Sequence, residues 1–210
     1  MKIILLGQIN CGKGTLGENL HQKYGFEAIS IGQLLRNEAA KNTAQAKVID
    51  GYLKQGMLVP EEITIKVLKN YLNTCKSNNL IFDGYPRNLV QAKTLENLTK
   101  IDAVIVLEVD DGVVMHRALG RRMCKQCGSI THIDFVGNNG NCPKCAGELY
   151  IRSDATKEAT ENKMKSYHID TVPLIDYFKN RTKVFYVNAN NSAEQTFNQV
   201  EDVLGLKNRR

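Results

Sequence analysis

The chain has 210 residues, of which 42% are apolar and 24% charged, a composition typical of a globular protein with a sizeable core. No apolar run reaches about 18 residues, and residues 1–6 form too short an apolar run for a signal peptide, so we expect a cytoplasmic protein without a membrane partner. The formal net charge is +6, yet the basic residues are dispersed and tryptophan is absent, so nucleic acid is not an expected partner.

Short apolar runs separated by helical periodicity organise the chain from its first residues onward. The runs predict five buried strands, at residues 3–6, 26–30, 80–83, 103–109 and 183–187. Helices are predicted from Gly12 onward and near residues 33–40, 61–75, 89–98, 112–119, 158–179 and 193–204. This alternation predicts an α/β fold in which helices cover both faces of a parallel sheet.

Two stretches interrupt the alternation of strands and helices. Residues 31–59 carry helical patterns without a strand, and residues 121–157 are rich in glycine, asparagine and cysteine. We interpret both stretches as insertions into a single α/β core.

Residues 7–15, with the sequence GQINCGKGT, match the phosphate-loop pattern G-x-x-x-x-G-K with a hydroxyl residue two places later. The motif follows an apolar strand and opens a helix, which is the context that the pattern requires. Successive backbone N–H groups and the helix N-terminus can surround phosphates there, while Lys13 adds a positive charge. Asn10 stands where glycine is more usual, but asparagine tolerates a left-handed backbone better than most residues.

Cys11 is the second unusual residue of this loop. The simpler interpretation is that a small side chain fills space there. A thiol near a helix N-terminus can also be reactive, so a second hypothesis is that oxidation or alkylation of Cys11 blocks nucleotide binding.

Four cysteines occur as two C-x-x-C pairs, Cys124 with Cys127 and Cys142 with Cys145, separated by a short segment. This spacing is typical of a structural Zn²⁺ site in which each pair supplies two thiolates to one tetrahedral ion. Two disulfides are the alternative, which the expected reducing compartment disfavours. A site closed by four sulfurs has no open position for catalysis, so its expected role is to fold a segment too small for its own core. Glycines that follow each pair, Gly128 and Gly147, are expected to form the tight turns.

Several motifs occur along the chain in an order that resembles one family. They are the phosphate loop at residues 7–15, ISIGQLLR at 29–36, GMLVP at 56–60, DGYPRN at 83–88 and GRR at 120–122. In this order they resemble adenylate kinase, in the long form whose lid binds zinc, and the resemblance covers essentially the whole chain.

The resemblance implies a P-loop fold with three parts. The core domain would comprise residues 1–29, 60–120 and 159–210. The insertion, defined as residues 30–59, would bind a nucleoside monophosphate, and the lid, defined as residues 121–158, would form a small zinc-ribbon-like unit. The family also implies a monomer that transfers the terminal phosphoryl group of ATP to AMP, giving two ADP, with Mg²⁺ as the nucleotide's cation.

The family's functional residues carry over onto matching positions of this sequence. For ATP, the resemblance implies the phosphate loop and two arginines, namely Gly12, Lys13, Gly14, Thr15, Arg117 and Arg121. For AMP, it implies residues around the phosphate and the base, namely Ile31, Arg36, Met57, Val59, Gly84, Arg87 and Gln91. For catalysis, it implies the basic residues Lys13, Arg87, Arg121, Arg152 and Lys163. Asp83, at the end of a predicted strand, would orient Mg²⁺ through water.

The chain departs from the family's pattern at several site positions. Ile31 replaces a threonine beside the AMP base, and Lys163 replaces an arginine, which keeps the charge but loses the bidentate fork. Further departures are Gln33, Ala155 and the pair Asn188 and Ala189. Two alternatives therefore stay open: a kinase whose acceptor is UMP, CMP or GMP, and a catalytically weak protein that binds nucleotide and zinc.

Overall fold

The computed structural model describes residues 1–136 and 140–208. Its strands are β1 (Lys2–Gly7), β2 (Glu27–Ser30), β3 (Leu80–Asp83), β4 (Ala103–Glu108), β5 (Arg121–Cys124), β6 (Ile130–His132), β7 (Leu149–Tyr150) and β8 (Lys183–Asn188). Its α-helices are α1 (Lys13–Tyr24), α2 (Ile31–Ala39), α3 (Ala44–Lys54), α4 (Glu61–Thr74), α5 (Leu89–Leu98), α6 (Asp111–Gly120), α7 (Lys157–Ser166), α8 (Val172–Lys179) and α9 (Ala193–Val203).

Five of these strands form one parallel sheet in the order β2, β3, β1, β4, β8. The prediction of a five-stranded parallel sheet flanked by helices is therefore confirmed. Because successive side chains of a strand point to opposite faces, Ile4 and Leu6 of β1 pack into one apolar cluster, and Ile3 and Leu5 pack into another. Burying each such side chain contributes about 1.5–3 kcal/mol, so this sheet stabilises the core.

The parallel arrangement places the strand ends that carry the site along one edge of the sheet. In the register, Leu5 of β1 lies opposite Asp83 of β3, and Ser30 of β2 pairs with the same residue. The phosphate loop after β1 and the insertion after β2 therefore begin side by side.

The insertion contains α2 and α3, in agreement with the absence of a predicted strand there. Helix α3 had no separate predicted boundary, and its start is fixed by Thr43, whose side chain accepts a hydrogen bond from the Ala46 N–H at 3.0 Å. The insertion also contacts the start of α7. A Cβ on Gly56 would lie 2.4 Å from the Ala159 carbonyl oxygen, so only glycine allows this approach.

The single helix predicted at residues 158–179 is wrong in its middle. Helix α7 ends at Ser166, a π-helical turn spans Tyr167–Thr171, and α8 follows. Pro173 near the start of α8 explains the interruption, because its ring would clash with the carbonyl four residues earlier in a continuous helix.

The lid contains a three-stranded antiparallel sheet in the order β6, β5, β7. Residues 137–139 of the predicted lid lie outside the described part of the chain. Among the described residues, no helix combines the length and apolarity needed to span a bilayer.

Candidate active site

The phosphate loop connects β1 to α1 through a backbone that few residue types can adopt. Gly12 has φ 102°, and Asn10 has φ 56°, which confirms that asparagine occupies a left-handed position here. A Cβ on Gly7 would lie 2.6 Å from the Cys11 Sγ, so the loop closes tightly over the buried thiol. The burial of Cys11 supports the space-filling interpretation, and its proposed reactivity stays a prediction.

The side chain of Lys13 folds back onto this loop, where its ammonium group contacts backbone carbonyl oxygens. Its Nζ donates hydrogen bonds to the carbonyls of Gly7 at 2.8 Å and Gln8 at 2.6 Å, and lies 3.3 Å from the Cys11 Sγ. Gly14 and Thr15 follow in the first turn of α1 and are exposed. The loop therefore presents an ammonium group, N–H groups and a hydroxyl to one space, a combination suited to phosphate.

Arg121, the first residue of the lid, reaches the phosphate loop directly. Its Nη1 donates to the Asn10 side-chain oxygen at 2.9 Å, while its Nε is buried and has no hydrogen-bond partner among the described residues. Burial, followed by repulsion from Arg152, lowers the pKa of Arg121 to about 10. A half-buried guanidinium with an unused, buried N–H donor favours an anionic ligand.

A second group of predicted residues surrounds Gly84, just after β3. Gly84 has φ 73°, and a Cβ there would lie 3.0 Å from the Arg87 Nη2 and 3.5 Å from the Ile31 Cγ2. Arg87 donates through Nε to the Gly84 carbonyl at 2.8 Å. Burial lowers the pKa of Arg87, an effect that the nearby Asp83 carboxylate opposes.

Gln91 is buried beside this group. Its Oε1 accepts a hydrogen bond from the Arg87 backbone N–H at 2.8 Å, which fixes the direction of the side chain. Its Nε2 makes no hydrogen bond within residues 1–136 and 140–208. Gln91 therefore keeps a donor for a ligand.

The insertion contributes the remaining residues predicted around AMP. Arg36 donates from Nη2 to the Gln33 Oε1 at 3.0 Å, so the unusual Gln33 holds its guanidinium. Val59 is buried, whereas about half of the Met57 side chain is exposed. Burial, and then repulsion from Arg152, lower the pKa of Arg36 to about 10.

The arginines from the insertion, from the segment after β3 and from the lid act on one another electrostatically. Arg87, Arg121 and Arg152 all lower the pKa of Arg36, and Arg152 also lowers that of Arg121. Such mutual repulsion is costly in the absence of an anion, and a polyphosphate ligand would relieve it.

The carboxylate of Asp154 neutralises part of this positive charge. Arg152 donates to it through Nε at 2.8 Å and through Nη2, and the Lys163 Nζ lies 2.7 Å from the same carboxylate. Burial alone would raise the pKa of Asp154, but the hydrogen bonds and charges of Arg152 and Lys163 hold it well below its usual range. Burial lowers the pKa of Lys163. Arg152 and Lys163 were predicted as site residues, but their shared partner was not.

Arg117 and Asp83 occupy two further edges of the site. The Arg117 Nη1 donates to the Ala189 carbonyl at 2.9 Å, which attaches the end of α6 to the loop after β8. Asp83 ends β3 beside the phosphate loop, as its register with Leu5 requires. The structure thus places Arg117 against Ala189, one of the two unusual residues at positions 188 and 189.

The four cysteines converge in the lid, where all four sulfurs lie within 4.8 Å of one another. The Cys124 and Cys145 sulfurs are 3.5 Å apart, and those of Cys127 and Cys142 are 3.8 Å apart. These distances are far longer than a disulfide bond of about 2.05 Å. They match the separation of about 3.75 Å expected between thiolates bound tetrahedrally at about 2.3 Å, so the cluster is compatible with a zinc site.

The turns of this cluster differ from the prediction in one respect. Gly128 adopts the left-handed conformation after the first pair, with φ 69°. After the second pair this position belongs to Ala146, with φ 59°, and not to Gly147. A Cβ on Gly147 would instead lie 3.1 Å from the Cys124 Sγ, so a larger residue there would crowd the cysteine cluster.

Comparison with known proteins assigns this arrangement to a family. A family model described as adenylate kinase matches residues 5–183, which is most of the chain. The chain belongs to the adenylate kinase family.

Individual adenylate kinases match over almost the whole length of both chains. The adenylate kinase of Rickettsia prowazekii is 37% identical over 98% of this chain and 100% of its own. That of Caldicellulosiruptor saccharolyticus is 36% identical over 99% and 100%, and that of Hydrogenobaculum sp. is 35% identical over 97% and 100%. The expected family and its nucleoside monophosphate kinase class are therefore confirmed.

Sequence reasoning missed some residues that organise the site of this chain. Asn10 was noted only for its backbone, yet its side chain accepts the hydrogen bond from Arg121. Ser129 was not singled out, although its Oγ lies 3.0 Å from the Cys127 Sγ and 3.2 Å from the Cys142 Sγ. Its position between the two cysteine pairs was the only available signal.

Proposed function

We propose that the chain catalyses the reversible transfer of the terminal phosphoryl group of ATP to AMP, giving two ADP. The observation that carries this proposal is the convergence of half-buried arginines from separate segments near the phosphate loop. Phosphoryl transfer requires little covalent chemistry from a protein, but it requires two anionic substrates held in line and charge placed on the transferred group.

The proposed division of labour follows the location of each side chain. Lys13 and the loop N–H groups would hold the donor phosphates, with Arg117 at the edge where the ATP base would lie. Arg36 and Arg87 would hold the AMP phosphate, and Gln91 would donate its free Nε2–H to the base. Planar guanidinium groups suit these tasks because each can bind two phosphate oxygens.

The lid would complete the charge around the transferred group. Arg121 already reaches the phosphate loop, and its unpartnered Nε supplies a donor that a phosphate oxygen can satisfy. Arg152 and Lys163 are both held on Asp154 at the end of the lid, so neither has to be ordered when substrate binds. Charged groups that are already in position before the reaction begins are the main means by which proteins stabilise such transition states.

Two cations fit the residues present. Asp83 offers a carboxylate at the strand end beside the phosphate loop, a hard oxygen ligand suited to orienting Mg²⁺ through water. When bound, Mg²⁺ neutralises charge on the nucleotide phosphates. Zn²⁺ would be held by Cys124, Cys127, Cys142 and Cys145 and would have a structural role only, because four thiolates leave no open position.

We propose that the chain is a monomer. Its three parts would be the core, the insertion and the lid, with the boundaries given above. Closing the lid over two bound nucleotides would exclude water from the transferred group. Gln55 and Gly56 of the insertion contact α7, the core helix that follows the lid, and Asn162 donates to the Gln55 carbonyl at 3.1 Å.

A second candidate is the same reaction with UMP, CMP or GMP as acceptor. Ile31 weakens the inference that adenine is preferred, because a buried isoleucine methyl beside Gly84 offers no hydrogen bond to that base. A coupled assay with ATP, Mg²⁺ and each of the four monophosphates separates the candidates. We expect AMP to give the highest kcat/KM, and a higher kcat/KM for another monophosphate would replace AMP as the proposed acceptor.

A further inference from the structure

A hydroxyl group from the π-helical turn contacts the backbone of Arg87. Thr171, the last residue of that turn, donates through Oγ1 to the Arg87 carbonyl oxygen at 2.9 Å. The two residues are 84 positions apart in the chain, and Thr171 is buried. This hydrogen bond therefore joins the segment that follows α7 to the turn that follows β3.

Two other buried threonines in helices of this chain use their hydroxyl groups differently. Thr160 in α7 donates to the Thr156 carbonyl at 2.8 Å, and Thr196 in α9 donates to the Ser192 carbonyl at 3.0 Å. In both cases the acceptor lies four residues earlier, which is a common local partner of a helical threonine. The hydroxyl of Thr171 instead bonds to a distant residue of the proposed active site.

The irregular helical geometry around Thr171 accompanies this change of partner. The N–H of Val172 donates to the carbonyl of Tyr167, five residues earlier, as in a π-helix. A π-helical turn contains more residues than an α-helical turn, so it changes the direction in which the side chains beyond it point. Such turns occur frequently at functional sites, and here the turn ends at the residue that contacts Arg87.

Arg87 is held by hydrogen bonds at its backbone N–H, its carbonyl and its side chain. The N–H donates to the Gln91 Oε1 at 2.8 Å, the carbonyl accepts from Thr171, and the Nε donates to the Gly84 carbonyl at 2.8 Å. Gln91 and Thr171 are both buried, so these two side chains hold the backbone from within the core. A guanidinium that is held before its ligand arrives loses less conformational freedom on binding.

We propose that Thr171 is a positioning residue for the monophosphate site and acts through the carbonyl of Arg87. The inference rests on the proposed function, in which Arg87 holds the phosphate of AMP. Thr171 would not touch the substrate, and its hydroxyl would fix the backbone from which the guanidinium extends. Because α7 precedes the turn and carries Lys163, the same segment would keep two cations of the site in a fixed relation.

The first test compares Thr171→Val and Thr171→Ser with the parent in steady-state kinetics. Valine nearly keeps the shape of threonine but removes the hydroxyl, whereas serine keeps the hydroxyl. We expect Thr171→Val to raise the KM for AMP about five- to tenfold, as the loss of one hydrogen bond implies, and the KM for ATP by less than about twofold. Thr171→Ser should restore the KM for AMP to within about twofold of the parent value.

Thr196→Val is the matched control, because it removes the hydroxyl of an equally buried helical threonine in α9. It should leave the KM for AMP unchanged. Thermal unfolding shows whether each variant is folded, and Thr171→Ala removes the hydroxyl with a residue that helices accept well if the valine variant does not fold. The proposal is overturned if removal of the Thr171 hydroxyl leaves the KM for AMP at the parent value, or if Thr171→Ser fails to restore it.

A double-mutant cycle with Arg87→Ala separates positioning from a general loss of stability. By calorimetry, Thr171→Val should weaken AMP binding about five- to tenfold in the parent and less than about twofold in the Arg87→Ala chain. An equal effect in both chains would overturn the proposal, because Thr171 would then not act through the guanidinium. A parent chain that forms no ADP would contradict the proposed function instead, and AMP binding would still test the role of Thr171.

Discussion

The sheet core and the lid both contribute arginines to the proposed active site, but they differ in how many apolar side chains they bury. In the core, Ile4, Phe82 and Val104 are completely buried between the helices of the two faces. In the lid, Ile130, Ile133 and Phe135 are exposed by 50%, 48% and 75%. The core is therefore stabilised by apolar burial, whereas we expect the lid to depend on its cysteine cluster, as small segments without a core commonly do.

The difference suggests how the two regions divide their tasks. Residues predicted to hold AMP lie directly after β3 or in the insertion that follows β2, and none of them contacts the cysteine cluster, so we expect their geometry not to depend on metal. Residues predicted to act from the lid are positioned by a segment that can fold or unfold separately. Substitutions in the two regions should therefore fail in different ways.

The largest expected effect comes from the core site. Arg87→Ala should lower kcat by about 10²–10³-fold, because it removes a preorganised positive charge from the AMP phosphate. The variant should remain folded, since burial of this guanidinium is itself unfavourable. Steady-state kinetics and circular dichroism test this prediction, with the exposed Arg181→Ala as control. Near-parent kcat in Arg87→Ala would contradict the proposed site.

The second prediction concerns the lid alone. Cys142→Ser should abolish Zn²⁺ binding at the four-cysteine cluster and unfold the lid. The thermal transition of the sheet core should remain. Calorimetry and limited proteolysis would show the lid cleaved while the core stays intact. Cys75→Ser is the control, because Cys75 follows α4 in the core, and this variant should retain the metal. A Cys142→Ser variant with full Zn²⁺ content would disprove the four-thiolate site.

Asp154 tests the connection between lid and core. Because its pKa is lower in the folded than in the unfolded chain, the unfolded state binds more protons as the pH falls. Its contribution to stability should be complete above about pH 4, the ordinary range of an aspartate, and decrease below it. Asp154→Ala should cost about 3 kcal/mol at neutral pH, since it leaves Arg152 and Lys163 without their partner.

Urea unfolding at several pH values measures this effect. The parent should lose more stability than Asp154→Ala as the pH falls below about 4. Asp176→Ala, at an exposed aspartate paired with Lys179, provides the control and should change stability little. Equal acid sensitivity of the parent and Asp154→Ala would refute the role assigned to this carboxylate.

The smallest expected effect lies in the second cysteine turn. Ala146→Gly should stabilise the lid by about 1 kcal/mol, because it removes the cost of a left-handed backbone at a residue with a side chain. Gly128→Ala at the matching turn should destabilise the lid by a similar amount. Differential scanning calorimetry of the lid transition compares the two variants. A destabilised Ala146→Gly variant would exclude a stability cost from the left-handed backbone at this position.

The sequence predicted the features that depend on local patterns. Buried strands follow from apolar runs, the phosphate loop from glycine spacing, and the thiolate cluster from the two C-x-x-C pairs. The break at Tyr167–Thr171 was missed because the helical periodicity continues across it, although Pro173 was visible. The Asp154 contacts were missed because folding brings together residues that no local pattern associates.

The most direct test of the central claim combines activity and binding with and without the cysteine-bound metal. ADP formation from ATP and AMP, and binding of AMP by calorimetry, would be measured before and after chelation of Zn²⁺. We expect the loaded chain to form ADP, and the chelated chain to lose most of this activity while AMP affinity changes less than threefold. Absence of ADP formation by the loaded chain, or loss of AMP binding together with the metal, would contradict the account.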